Sequence, residues 1–236
     1  MTARSLICLH GYGVRGFFWN PVRDQLEREF PELLTPDLPM NSLEHLVENT
    51  KLIISSKSRL DRAPVSLIGH SLGGVLAALS ARELGPRLVR KVVIIGSPFG
   101  ERSELPGVLV RFLVRSGLMP DFLIRPKLFS AQTPPDKQKE LLQRSVRESR
   151  DLRRELEQPV WFHTQMFDAP LEQPSLTIYS TRDRIVPALQ TRAFGEALGS
   201  ELVELGPNQR VGHNDFIWAP PVARMLLPRI IAFLKR

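Results

Sequence analysis

The stretch Pro64 to Ala78, PVSLIGHSLGGVLAA, constrains this chain more than any other. An apolar run too short for a helix reads as a strand, Gly-His-Ser-Leu-Gly as a sharp turn, and the small-residue segment after it as a helix. Ser71 then stands at the tip of a strand-to-helix elbow. Gly69 and Gly73 flank it because the serine backbone is strained and neighbouring chain passes so close that a Cβ would clash. Such an elbow exposes the hydroxyl and aims the first N–H groups of the helix at a developing oxyanion. The same five positions also occur in plain glycine-rich turns, so the rest of the chain has to decide.

Along the chain, Ser5 to His10, Leu33 to Asp37, Val65 to Gly69, Lys91 to Gly96, Ser175 to Ser180 and Glu201 to Leu205 read as short buried strands. Helical patterns lie between them. Phe18, Val22, Leu26 and Phe30 recur in steps of four and predict a helix over Phe17 to Phe30. Asn41 with Glu44 predicts a capping box that opens a helix running to about Leu60. Gly85-Pro86 stops the elbow helix, another begins near Pro187, and Pro220 to Lys235 closes the chain. This alternation implies a mostly parallel sheet with helices on both faces.

From about Pro98 to Gln173 the alternation breaks. No strand candidate occurs there, but two amphipathic helices are predicted, over Val108 to Leu118 and over Asp136 to Glu157. The second is highly charged, with a narrow apolar stripe through Leu142, Val146, Leu152 and Leu156. An insertion of this kind usually covers a site, so residues 98–173 read as a lid on a core made of 1–97 and 174–236.

A chain of 236 residues can build one sizeable core, and its 42% apolar and 24% charged composition is that of an ordinary soluble domain. The single cysteine, Cys8, excludes an internal disulfide and reads as a buried structural thiol, which fits a reducing compartment. The N-terminal apolar run is too short for a signal peptide or a membrane span, so a cytoplasmic protein with no integral membrane segment is expected. The net charge of +7 comes from cations scattered among acids. No nucleic-acid motif accompanies them, and a generally basic surface is the simpler reading. The histidines lack metal-ligand spacing, and neither a P-loop nor a dinucleotide fingerprint occurs, so no metal or cofactor is expected.

Four motifs then fall in order, each after a predicted strand: His10-Gly11-Tyr12-Gly13, Gly69-His70-Ser71-Leu72-Gly73-Gly74, Asp183-Arg184-Ile185-Val186-Pro187 and Gly212-His213-Asn214-Asp215. The set resembles the α/β-hydrolase family over the whole span from Ser5 to the C-terminus. The resemblance implies the α/β-hydrolase fold, a mostly parallel sheet flanked by helices with a helical lid inserted. The nucleophile, acid and base follow in the family's order, serine, acid, histidine. Two departures stand out. The chain begins directly at the family's third strand, so the usual N-terminal antiparallel hairpin is expected to be missing. The turn after Asp37 reads Leu38-Pro39-Met40, without a glycine-rich continuation.

A serine hydroxyl must lose its proton as it attacks, and an imidazole can take that proton near neutral pH and later hand it to the leaving group. This makes Ser71 the candidate nucleophile, His213 the base, and Asp183 the acid that fixes the imidazole tautomer. Glu101, the first carboxylate after the preceding strand, is the less favoured acid. Asp215 is too close to His213 in sequence to be its partner and reads as a brace for the loop. By resemblance, the backbone N–H groups of Tyr12 and Leu72 form the oxyanion hole. His10 shapes its turn and His70 flanks the elbow. Trp161, Phe162 and Met166, near the end of the lid, either line an acyl pocket or pack in the core.

The expected activity is hydrolysis of a small-molecule carboxylic ester of the esterase or lipase-like kind, through an acyl-enzyme. A thioesterase or carboxylesterase acting on carrier-bound acyl groups is a variant. Arg144, Arg147, Arg150, Arg153 and Arg154 would then dock an acyl carrier protein or coenzyme phosphates. The same helix carries Glu140, Glu148, Asp151, Glu155 and Glu157, so a solvated face with internal ion pairs is the expectation. A C–C bond hydrolase would use the same triad. A binding protein of this fold would have little reason to keep all three groups.

Overall fold

The strands are apolar on both sides because both sides are buried. β1 (Ser5–Leu9) sends Leu6 and Cys8 into one core cluster and Ile7 and Leu9 into the other, as the two-residue period of a strand requires. The same division holds in β3 (Val65–His70), with Ile68 opposite Leu67, and in β4 (Val89–Ile95), with Val93 and Ile95 opposite Val92 and Ile94. This is a computed structural model, and it describes residues 5–39, 41–100, 121–156, 167 and 169–236. Glu101, the helix expected over Val108 to Leu118, and Trp161, Phe162 and Met166 lie outside the described residues.

Among the described residues, six strands form one sheet in the order β2-β1-β3-β4-β5-β6, with every neighbouring pair parallel. The remaining strands are β2 (Glu32–Leu34), β5 (Ser175–Ser180) and β6 (Glu201–Leu205). On one face pack α1 (Asn20–Glu29), through Val22 and Leu26, and α8 (Pro220–Lys235), through Val222, Leu226, Leu227 and Ile230. On the other pack α2 (Leu43–Asp61), α3 (Leu72–Leu84) and α7 (Ala188–Ala197), through Ile54, Val75, Leu76 and Phe194. Cys8 is fully buried in the first cluster, and burial pushes its thiol pKa up, away from the reactive thiolate. The connection from β1 runs to β2 on one side, and the chain then crosses back to β3 on the other. Ligands of open α/β sheets bind at the carboxyl ends of such a strand pair.

Several boundaries differ from the sequence reading. β2 spans three residues rather than Leu33 to Asp37: Pro36 has no N–H to give to a ladder, and the Asp37 carboxylate is taken by the Gly16 N–H at 2.7 Å. The helix expected over Phe17 to Phe30 opens as a 3₁₀ turn, Gly16–Trp19, before α1. The cap of α2 is Ser42, one residue beyond Asn41; its Oγ accepts the His45 N–H at 3.3 Å.

The expected helix from Asp136 to Glu157 is two helices, α5 (Pro135–Gln143) and α6 (Arg150–Leu156), which follow α4 (Asp121–Leu128). The break between them is fixed from outside. The Val146 N–H donates to the Gly13 carbonyl at 2.8 Å. The Glu148 carboxylate accepts from the Gly13 N–H at 3.0 Å and from both terminal nitrogens of Arg15 at 2.7 and 3.1 Å. The Glu148 side chain is 1% exposed, so it belongs to a partly buried ion pair rather than to a solvated face. Arg144 does pair within the segment, with Glu140 at 3.7 Å, and also lies over the Phe17 ring at 3.9 Å.

Candidate active site

Ser71 joins β3 to α3 with φ 54° and ψ −124°, a region that side chains with a Cβ rarely adopt and that costs about 1–3 kcal/mol. The surroundings hold it there. Its N–H donates to Ile95 at 2.9 Å and its carbonyl accepts from Gly74 at 3.0 Å. A Cβ on Gly69 would stand 2.2 Å from the Gly73 oxygen, and one on Gly73 would stand 2.3 Å from the Leu9 oxygen. The two glycines therefore let α3, β3 and β1 meet backbone to backbone beneath the serine.

The loops after β5 and β6 are tied together by Ser180, whose hydroxyl donates to the Val211 carbonyl at 2.7 Å and accepts from the Arg182 N–H at 3.1 Å. Asp183 uses one carboxylate oxygen for the Ile185 and Val186 N–H groups, at 2.8 and 3.0 Å. The other lies 2.7 Å from His213 Nδ1, and the two side chains are 2% and 5% exposed. A carboxylate only accepts, so Nδ1 carries the proton and Nε2 keeps a lone pair. Gly96, at φ 54°, ends β4 beside this pair, where a Cβ would lie 3.3 Å from the second Asp183 oxygen and 3.6 Å from His213 Nδ1. Asp215 is fully buried and does brace the loop: it accepts from the Gly212 and Ser130 N–H groups at 2.7 and 2.9 Å and from the Thr133 hydroxyl at 2.6 Å.

The two histidines beside the glycine turns are structural. His70 Nε2 donates to the His213 carbonyl at 2.8 Å, and its ring stacks on Phe18 at 4.7 Å. Burial, and then the neighbouring His213, hold its pKa well below the usual value. His10 Nδ1 donates to the Gly11 carbonyl at 2.8 Å while Nε2 accepts the Leu38 N–H at 3.1 Å. Burial lowers its pKa from 6.5 to about 4. Both are neutral when folded and free to take a proton when unfolded, so the unfolded state binds more protons below pH 6.5. Stability is therefore fully present above that pH and falls as pH drops toward 4, by roughly 3 kcal/mol for His10 alone. Urea midpoints measured between pH 7.5 and 4.5 should fall less steeply in His10→Gln than in the wild type; equal slopes would contradict the neutral-histidine assignment.

Ser71 and His213 line one cavity of about 370 Å³ together with Gly11, Tyr12, Phe18 and His70. Asp183 lies behind His213, outside that lining. Leu72 is the first residue of α3, directly after the serine. Another part of the wall comes from the segment between β4 and β5: Ile124, Leu128, Leu141, Leu142 and Val146. Of these, only Leu142 and Val146 fall on the apolar stripe that the sequence predicts, and none carries a sequence signal of a site residue. No local signal separates a cavity wall from core packing. Among the described residues, no group of three or more His, Cys, Asp or Glu is placed to hold a metal ion, and no helix is long and apolar enough to cross a membrane.

A strained serine and an imidazole whose Nδ1 is held by a buried carboxylate, opening on a largely apolar cavity, have the parts for nucleophilic acyl transfer. A family model described as the alpha/beta hydrolase family matches residues 6–224. The pimeloyl-[acyl-carrier protein] methyl ester esterase of Photobacterium profundum is 27% identical over 208 residues, 78% of each chain. The protein of the same name from Aeromonas salmonicida is 30% identical over 121 residues, which are 46% of this chain and 44% of that relative, so the match spans less than half of its length. Among solved structures, a bromoperoxidase from Bacillus anthracis has a TM-score of 0.80 at 17% identity, covering 100% of this chain and 93% of that one, a likeness of fold.

Proposed function

This chain belongs to the alpha/beta hydrolase family, and on that premise we propose that it hydrolyses a carboxylic ester through Ser71, His213 and Asp183. The observation that carries the reading is the 2.7 Å contact between Asp183 and His213 Nδ1, in a histidine that shares its cavity with Ser71. Ser71 Oγ attacks the ester carbonyl while His213 Nε2 takes its proton. Asp183 holds the tautomer and stabilises the imidazolium. The backbone N–H groups of Tyr12 and Leu72 receive the oxyanion; each such donor contributes about 3 kcal/mol to the transition state. His213 then passes the proton to the departing alcohol, and a water activated by the same imidazole releases the acid and restores Ser71.

The names of the two relatives described above specify an ester as the bond and a carrier-bound acyl group as its bearer. They support ester hydrolysis here and favour, as a second reading, an ester carried on an acyl carrier protein. The apolar side chains of the inserted segment, acting as a lid, would receive the acyl chain.

The test is a panel of p-nitrophenyl esters from acetate to palmitate, run beside the matching acyl thioesters. Ester turnover with a defined chain-length optimum is expected. Asp183→Asn should lower kcat by about 10⁴-fold, because the amide favours the wrong imidazole tautomer. If Glu101→Gln causes that loss and Asp183→Asn does not, the acid assignment is wrong.

A further inference from the structure

A second, larger recess lies beside the Ser71 cavity, with a volume of about 1040 Å³ and a cationic wall. Arg125 and Lys127 reach it from α4, Arg182 and Arg184 from either side of Asp183, and Arg210 from the loop before His213. No acidic side chain occurs among its described lining residues, and none of the five cations has an ion pair among the described residues. Arg125 Nε is buried without a hydrogen-bond partner among the described residues. Five like charges around one open volume also repel one another, which an anion would relieve.

The recess and the cavity share a wall. On α4, Ile124 and Leu128 line the cavity while Arg125 and Lys127 line the recess; after β5, Ile185 lines the cavity and Arg182 and Arg184 the recess. His213 faces the cavity and Arg210 the recess. This shared wall is what separates a molecule reacting at Ser71 from the cations. Guanidinium forks match phosphate oxygens in pairs, and a volume of this size suits a drug-sized organic group better than a bare ion. Phe122 and Phe129 supply apolar surface for the uncharged part. Arg144, Arg147, Arg150, Arg153 and Arg154, the arginines that the sequence offers for an acidic partner, are not among its lining residues.

We propose that this recess is an anion subsite that holds a phosphate-bearing tail of the substrate while the scissile carbonyl sits at Ser71. The subsite rests on the recess itself; its use in turnover rests on the hydrolase reading above. The test uses the intact protein, with coenzyme A as a probe that carries phosphates, pantetheine as the same thiol arm without them, and inorganic pyrophosphate. By calorimetry at low salt, coenzyme A should bind at least tenfold more tightly than pantetheine. The gap should close at 0.5 M NaCl and in Arg125→Gln/Lys127→Gln, while Arg147→Gln keeps it. Arg210→Gln, on a separate loop, repeats the measurement should the double variant fail to fold. Equal affinities for coenzyme A and pantetheine, or a gap that survives in the folded recess variants, would overturn the proposal. So would pyrophosphate binding without coenzyme A binding, which would mark a site for free anions only. Turnover of p-nitrophenyl butyrate is read separately: its absence with the gap intact sinks the hydrolase reading alone, and its presence without the gap sinks the subsite alone.

Discussion

Ser71→Ala is expected to lower kcat for p-nitrophenyl butyrate by about 10⁶-fold while leaving the protein folded. Losses of this size follow removal of a triad nucleophile, because nucleophile, base and acid act as a unit and only oxyanion and binding contributions remain. The fold should be indifferent for structural reasons. Alanine keeps the Cβ, so the strain at φ 54° is unchanged, and the hydrogen bonds that hold Ser71 in the elbow are made by its backbone, to Ile95 and from Gly74. The Asp183–His213 contact does not include Ser71. Stability should stay within about 1 kcal/mol. Steady-state kinetics and urea denaturation on one preparation check both halves, and activity above about 1% of wild type would remove Ser71 from the reaction.

Gly73→Ala should damage the fold itself. The new Cβ would sit 2.3 Å from the Leu9 oxygen and 2.6 Å from the His10 oxygen, both backbone atoms at the end of a central strand with nowhere to go. Either α3 lifts off β1, opening the packing around Val75, Leu76 and Ala77, or the strand end moves and the His10 turn moves with it. Overpacking of this kind costs about 1–3 kcal/mol where side chains can yield and more where backbone must. A loss of roughly 4 kcal/mol, or failure to fold, is expected. Gly206→Ala is the matched control, since its nearest neighbour would be 3.9 Å away and its backbone, at φ −70°, accepts any residue. Equal urea midpoints for the two variants would contradict the close approach.

The parts of the molecule that were readable in the sequence are those fixed by neighbours a few residues away. A strand, a glycine turn and a small-residue helix specify the elbow at Ser71 locally, and apolar runs between helical patterns specify the parallel sheet. Asp183 and His213 could be singled out because each follows a strand, and parallel strands put such loops at one edge. What was not readable depends on distant partners. Glu148 looks like one more charge on a charged helix; only the fold brings it to Gly13, 135 residues away in sequence, where it separates α5 from α6 and ties the segment between β4 and β5 to the Tyr12 turn. β2 is cut short by an Asp37–Gly16 contact across 21 residues. The cationic recess is assembled from three segments, each with only one or two of its charges, so no run of basic residues announces it.

Covalent labelling tests whether Ser71 is an activated nucleophile without a guess at the substrate. A fluorophosphonate probe requires a serine whose proton can be taken by a base. The folded protein should be modified once, on the peptide that carries Ser71, at a rate that collapses in His213→Ala and with no adduct in Ser71→Ala. A folded protein that stays unlabelled, or one labelled equally in all three forms, would contradict the account.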